Sequence, residues 1–188
     1  MNVFYIHEDP EICAQQHCDS HASKMCVEYA QLMSTAHRVI DGEMLVGRTT
    51  LGRRIKRWYH PNPVLNKHLY KSVHVNHPSA VWVRESLENY EWLYDMWVCL
   101  CNEYQHRYGR VHESFNKLEH ILSVAPAKIE SIGFTQPTPA MKNFPQCIVE
   151  GDSLQSYRNY YWEAKRQFAR WTKRDKPDWY QDFEVKYG

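Results

Sequence analysis

The sequence predicts an all-α fold, a single compact helical domain over residues 1–188 with long ordered loops. Three observations predict it. Apolar residues recur at three- and four-residue spacing in several long stretches, as on one face of a helix. Helix-start and helix-stop signals bracket those stretches. Period-two alternation, the mark of a half-buried strand, is confined to a short run at Val3–Ile6. A chain of 188 residues is long enough for one sizeable core and short for two.

Taken in order, Asp9-Pro10 is an N-cap followed by proline at the first helical position, opening a short helix from Pro10 to about His17. A second helix spans Ser20 to about His37. Its apolar stripe reads Ala22, Met25/Cys26, Tyr29, Leu32/Met33, Ala36. Asp41-Gly42 marks a turn. From Leu45 to Asn76 there is little periodicity, with Gly47, Gly52 and the His60–Pro63 segment as punctuation. That stretch reads as a loop with a short helical piece, and a loop so long in a compact domain is often functional. Helix resumes at Pro78 and runs, with a break near Ser86, to Tyr108, where Gly109 suits a left-handed cap. Another helix covers Glu113–Ser123. Residues 125–147 carry four prolines and read as an ordered loop, and Asp152 caps a last long helix to about Trp171.

Hydrophobic residues make up 43% and charged residues 24%, which fits a globular chain rather than a disordered one. No apolar run approaches the ~20 residues of a membrane span, so no membrane partner is expected. The opening segment has no basic region followed by an apolar one, which predicts no signal peptide and a cytoplasmic location. Six cysteines without a dense framework read as reduced, mostly buried thiols.

Net charge is +1, but charge is unevenly spread. No acidic residue occurs from Met44 to Arg84, a stretch that holds Arg48, Arg53, Arg54, Lys56, Arg57, Lys67, Lys71, Arg84 and four histidines. Trp58 and Tyr59 lie within it. Cations that neutralise phosphates beside aromatics that stack on bases suit a nucleic-acid surface. A solvated basic loop, or one that pairs with the acidic Glu85–Glu103 segment, has the same sequence. The last helix has a similar duality, with Tyr157, Tyr161 and Trp171 on one flank and Arg158, Lys165, Arg166 and Arg170 towards the other.

On the second helix His21, Lys24, Glu28, Gln31 and Thr35 follow spacings of 3, 4, 3 and 4, which puts them on one side, opposite the apolar stripe. A solvated face with a Lys24–Glu28 pair is the plain interpretation. Lining a cleft, the same face would offer Glu28 as a catalytic carboxylate. Cys13, His17, Cys18, His21 and Cys26 are close in sequence, but the spacings of structural zinc sites are missing, so no metal and no cofactor are expected.

Lys24-Met-Cys-Val27-Glu28-Tyr-Ala-Gln31, then Asn76-His77-Pro78 leading to Trp82 and Arg84, resembles the pyrimidine-dimer DNA glycosylase family and its uncharacterised phage and bacterial relatives. Lys176-Pro177-Asp178-Trp179-Tyr180 is similar to a segment near the end of the phage enzyme. The blocks touch about half the chain on few matched residues. The resemblance implies a compact helical enzyme of DNA repair, in the host cytoplasm if phage-encoded. Such an enzyme flips a nucleotide and cuts the N-glycosidic bond of a damaged pyrimidine through a Schiff base, with Glu28 as the assisting carboxylate. The family's nucleophile is the α-amine of a small residue exposed by methionine removal. Here Asn2 is too large to favour that removal. Met1 with its own amine, or Lys24 with its pKa lowered by burial, are the alternatives.

The expectation is therefore a glycosylase-like enzyme acting on pyrimidines in DNA. Glu28, Lys24, His21, Gln31 and Met1 would form the catalytic group. Asn76 and His77 would shape the pocket, Arg48, Arg53, Arg54, Arg57 and Arg84 would hold phosphates, and Trp58 or Tyr59 would fill the gap left by a flipped base. Two rivals use the same residues: a pyrimidine-modifying enzyme acting on DNA or nucleotides, and a non-catalytic DNA-binding protein. A catalytic role predicts a concave pocket around Glu28; a binding-only role predicts a flat basic surface.

Overall fold

In a computed structural model describing residues 1–188, Asp9 accepts the Ile12 amide at 2.9 Å and opens α1 (Pro10–Gln16). Helix α2 (Asp19–Ile40) follows, and its whole predicted apolar stripe is buried. Next come strands β1 (Glu43–Arg48) and β2 (Arg54–Tyr59), then short helices α3 (Pro63–His68) and α4 (Pro78–Trp82). The long α5 (Leu87–Tyr108), α6 (Glu113–Leu122), a 3-10 turn at Pro145–Cys147, α7 (Ser153–Lys165) and α8 (Asp178–Tyr187) complete the chain.

The core forms where α2 meets α5. Both run for 22 residues, about 33 Å of helix. Trp97 is fully buried between them and its indole N–H donates to the Cys26 carbonyl at 2.8 Å, so one of the two largest buried side chains is also fixed in register. Each such buried side chain contributes about 1.5–3 kcal/mol. Helix α1 packs on α5, α6 packs on α2, and α8 lies on α7. The break expected near Ser86 is real: its hydroxyl accepts the Asn89 amide at 3.1 Å and restarts the helix as α5.

One buried ionic group ties the ends of the chain together. Arg107 of α5 donates to Glu103 at 2.6 Å, to Asp19 at 2.9 Å and to the carbonyls of His17 and Gln15, so it clamps the α1–α2 junction. Arg174 reaches the other Glu103 oxygen at 2.8 Å. Burial works against ionised Glu103, but the hydrogen bonds from Arg174 and Arg107 prevail and hold its carboxyl below the usual range.

Three expectations need correction. The chain is mostly helical but not purely all-α. Leu45–Asn76 is not a loop with one helical piece: it contains most of an antiparallel hairpin pairing Glu43 with Tyr59 through to Arg48 with Arg54, followed by α3. Every β1 residue is exposed, so no alternation exists to be read. The last predicted helix ends at Lys165 rather than Trp171, and α8 follows as a separate helix. No helix is long and apolar enough to cross a membrane.

Candidate active site and basic hairpin

Val3–Ile6 shows why a short alternating run misleads: all four side chains are buried and no strand forms. Side chains hold the segment instead. The Phe4 amide donates to the Tyr29 hydroxyl at 3.1 Å, the Cys13 thiol to the Phe4 carbonyl, and Arg158 to the Ile6 carbonyl at 3.0 Å. This anchoring delivers Met1 to α2, one residue from Tyr29. The Met1 nitrogen lies 3.6 Å from Glu28 Oε2, and Lys24 Nζ lies 3.1 Å from Glu28 Oε1. Lys24 is largely exposed, whereas the Met1 side chain is 7% and that of Glu28 17% exposed. Glu28 thus faces two cations, one anchored by the core and one free to move.

His77 stands at the N-terminus of α4, where its Nδ1 accepts the Ser79 amide at 3.2 Å. That bond leaves the ring proton on Nε2. Burial lowers its pKa, the Met1 amine and His74 lower it further, and Glu28 opposes them. His77 is therefore within electrostatic reach of the Met1–Glu28 pair. The loop carrying it is braced from both sides. Thr35 donates to the Gln31 carbonyl at 2.7 Å and accepts the Val73 amide at 3.2 Å; Arg84 donates to the carbonyls of Val75 and Ala80 at 2.7 and 2.8 Å. Gln31 is half-buried and Asn76 exposed, each without a side-chain hydrogen bond.

His21 does not join this group. It stacks under Phe4 at 4.1 Å and its Nδ1 bonds the Tyr161 hydroxyl at 2.6 Å. Burial first, then His17, Lys165 and Lys24, push its pKa down to about 2, so it is a neutral core histidine. Thr35 is buried too, which leaves Lys24, Glu28 and Gln31 as the polar remnant of the predicted face. The neighbouring His17 bonds the Cys13 carbonyl through Nδ1 and the Tyr29 hydroxyl through Nε2, so both ring nitrogens are engaged and the Cys/His run offers no ligand set.

Further along α2 lies a residue that sequence reasoning missed. Arg38 is buried without a carboxylate partner. All five of its N–H groups are used, on the carbonyls of Tyr70, Trp58, Asn66 and Leu69 and on the Asn66 side chain. It fixes the hairpin, α3 and the Leu69–His77 loop to one point. The loop then runs back along α2 past Thr35 to His77. Glu28 and Arg38 are about 15 Å apart along the helix axis.

The hairpin projects from that point. Opposed residues share a face, so Arg48, Arg54, Lys56 and Trp58 lie on one side, and Arg57, Tyr59 and Leu45 on the other. Arg53 sits in the connecting turn, whose Gly52 has φ +76°. Arg48 and Arg54 are directly opposed cations, a destabilising pairing unless an anion joins them. Met44, Leu45 and Val46 are exposed. A cleft of about 440 Å³ opens between the hairpin and the loop, lined by Lys56, Arg57, Trp58, Tyr59 and Lys71 among others. Glu28 lines neither this cleft nor those beside Glu103 and Arg174 and beside Trp162 and Tyr187, so the concave pocket that catalysis predicts at Glu28 is not one of these three. Arg84, expected on phosphates, has Nη1 committed to backbone carbonyls and braces the loop.

No protein-family model, no curated protein and no solved structure matches the chain.

Proposed function

We propose that the protein is a DNA-base-processing enzyme of the glycosylase type, acting on pyrimidines in DNA with Glu28 as its catalytic carboxylate. The observation that carries this reading is the pairing of the Met1 amine with Glu28 at 3.6 Å, within electrostatic reach of His77. Once the Met1 ammonium has given a proton to water, the neutral amine attacks the sugar C1′, and the C1′–N bond breaks with its electron pair leaving on the base, which takes a proton from water. The surplus proton of the amine passes to Glu28. Ring opening then moves that proton to O4′ and leaves an iminium ion on the Met1 nitrogen. Glu28 also stabilises the cationic sugar on the way. The hairpin supplies phosphate contacts through Arg48, Arg53, Arg54 and Arg57, and Trp58 and Tyr59 offer stacking surfaces. A two-stranded ribbon fits the major groove of a duplex.

A binding-only role draws on one observation, that these three clefts lie away from Glu28. Turnover separates the two. Duplexes carrying a pyrimidine dimer, an abasic site or a modified pyrimidine are incubated with the protein and with Glu28→Gln. The exchange removes a charge and hardly changes volume. A fall of about 10²–10⁴-fold in rate at unchanged DNA affinity is expected. Equal rates in both proteins would remove Glu28 from the chemistry. A changed base still attached to its sugar would favour modification over excision.

A further inference from the structure

We propose that His37, Asp41 and His60 form a divalent-cation site, suited to zinc, that locks the base of the hairpin. Each offers one ligand atom, and the three atoms lie within 4.8 Å of one another. His37 and Asp41 occupy one face at the end of α2, and His60 directly follows β2, so the group joins both ends of the hairpin. All three side chains are nearly inaccessible: His37 is 3% exposed, and the His60 and Asp41 side chains 6% and 10%.

Hydrogen bonds set the protonation of both imidazoles and hold the carboxylate in place. Tyr90 donates its hydroxyl proton to the Leu122 carbonyl, so it accepts from His37 Nε2, and this fixes the proton there and turns Nδ1 into a ligand atom. A second partner of this kind is the usual support for a metal-bound imidazole. Asp41 is held by the amides of Ala127 at 2.7 Å and Lys128 at 3.0 Å, one on each oxygen, and both oxygens keep further lone pairs. His60 Nε2 is buried and has no hydrogen-bond partner; Asp41 Oδ2, at 3.9 Å, is beyond bonding distance. A buried polar atom left in this way is uncommon, and a cation bound to all three ligands accounts for it. Capture shifts the His60 proton to Nδ1 and gives up the 3.1 Å contact from the Asn62 amide. Two imidazoles and one carboxylate are a zinc-type donor set, with ligand atoms about 3.4 Å apart in tetrahedral geometry, so contraction by roughly an ångström brings the three donors to bonding distance and leaves the fourth position to a water. His37 is about 13 Å along α2 from Glu28, which makes the cation a structural clamp rather than a participant in the chemistry there.

The test is titration of chelator-treated protein with Zn²⁺ against a chromophoric chelator, with Co²⁺ absorption as a second readout. One Zn²⁺ per chain is expected, with affinity lowered at least 100-fold in His60→Gln and in Asp41→Asn and unchanged in the exposed His120→Ala. Co²⁺ should give an intense visible band in the parent protein, and Zn²⁺ should slow hydrogen exchange of β1 and β2. Those two readouts need no variant, so a variant that misfolds does not decide the matter. Absence of stoichiometric Zn²⁺ binding in the parent protein, or binding that survives unchanged in folded His60→Gln, overturns the proposal and leaves a buried water as the occupant.

Discussion

Replacing Arg38 by lysine keeps the charge and the aliphatic stem but reduces five donors to three. The guanidinium now satisfies five acceptors spread over Trp58, Asn66, Leu69 and Tyr70. An ammonium is a point donor and cannot span that set, so at least two acceptors lose their partner. Each buried acceptor so orphaned costs about 1–3 kcal/mol, and some will recover water because the sites are partly buried. The expected loss is therefore about 2–4 kcal/mol. Urea unfolding followed by tryptophan fluorescence reads it as a midpoint lowered by about 1–2 M for a typical slope. Hydrogen exchange should speed up most in β2 and in residues 69–73, since these hang from Arg38. A loss under about 0.5 kcal/mol, the range of an ordinary surface change, would refute the claim that Arg38 holds the hairpin and loop.

Other outcomes follow from the same geometry. Alanine at Arg53, Arg54 and Arg57 together should weaken DNA binding at low salt and flatten the log–log salt dependence by about 2–3, near 0.9 per lost phosphate contact; an unchanged slope would take the hairpin out of the interface. Gly42→Ala places a Cβ 2.3 Å from the Arg38 carbonyl oxygen and 2.6 Å from that of Tyr59, both backbone atoms. It should cost about 1–3 kcal/mol in urea unfolding, whereas Gly47→Ala, with open space around it, should cost less. Burial holds His17 at about 4 and His21 at about 2, against an ordinary 6.5, so the folded chain refuses protons that the unfolded chain accepts. Their contribution to stability is complete above pH 6.5 and shrinks as pH falls, ending near 4 for His17 and near 2 for His21. Between pH 7.5 and 5 the two should together remove about 4 kcal/mol, and a flat profile there would show that they are not buried neutral groups.

The sequence made α2 and α5 legible because their buried faces are long enough for periodicity to accumulate. Asp9, Ser86 and Asp152 marked helix starts because each caps with its own side chain. The hairpin was hidden for the opposite reason. Both its faces meet solvent, so no pattern records which way Met44 or Val46 points. Helix α8 was hidden by shortness and a broad aromatic face, with Trp179, Tyr180 and Phe183 packed among Tyr161, Trp162 and Trp171. Lys24, Glu28 and Gln31 were read correctly as a polar face, but His21 was not, because Phe4 and Tyr161 cover it and both are distant in sequence. Arg38 gives a weak signal, an arginine next to His37 in the last turn of α2. Its role depends on carbonyls from segments that only the fold brings together.

If Met1 and Glu28 act as one catalytic pair, borohydride traps the Met1 nitrogen on the sugar. The protein is mixed with a duplex holding an abasic site, the mixture is reduced, and the adduct is located by peptide mapping. A covalent complex through the Met1 nitrogen is expected, lost when that amine is blocked and slowed by orders of magnitude in Glu28→Gln. An adduct that maps to Lys24 and survives blocking of Met1, or no adduct at all, would contradict it.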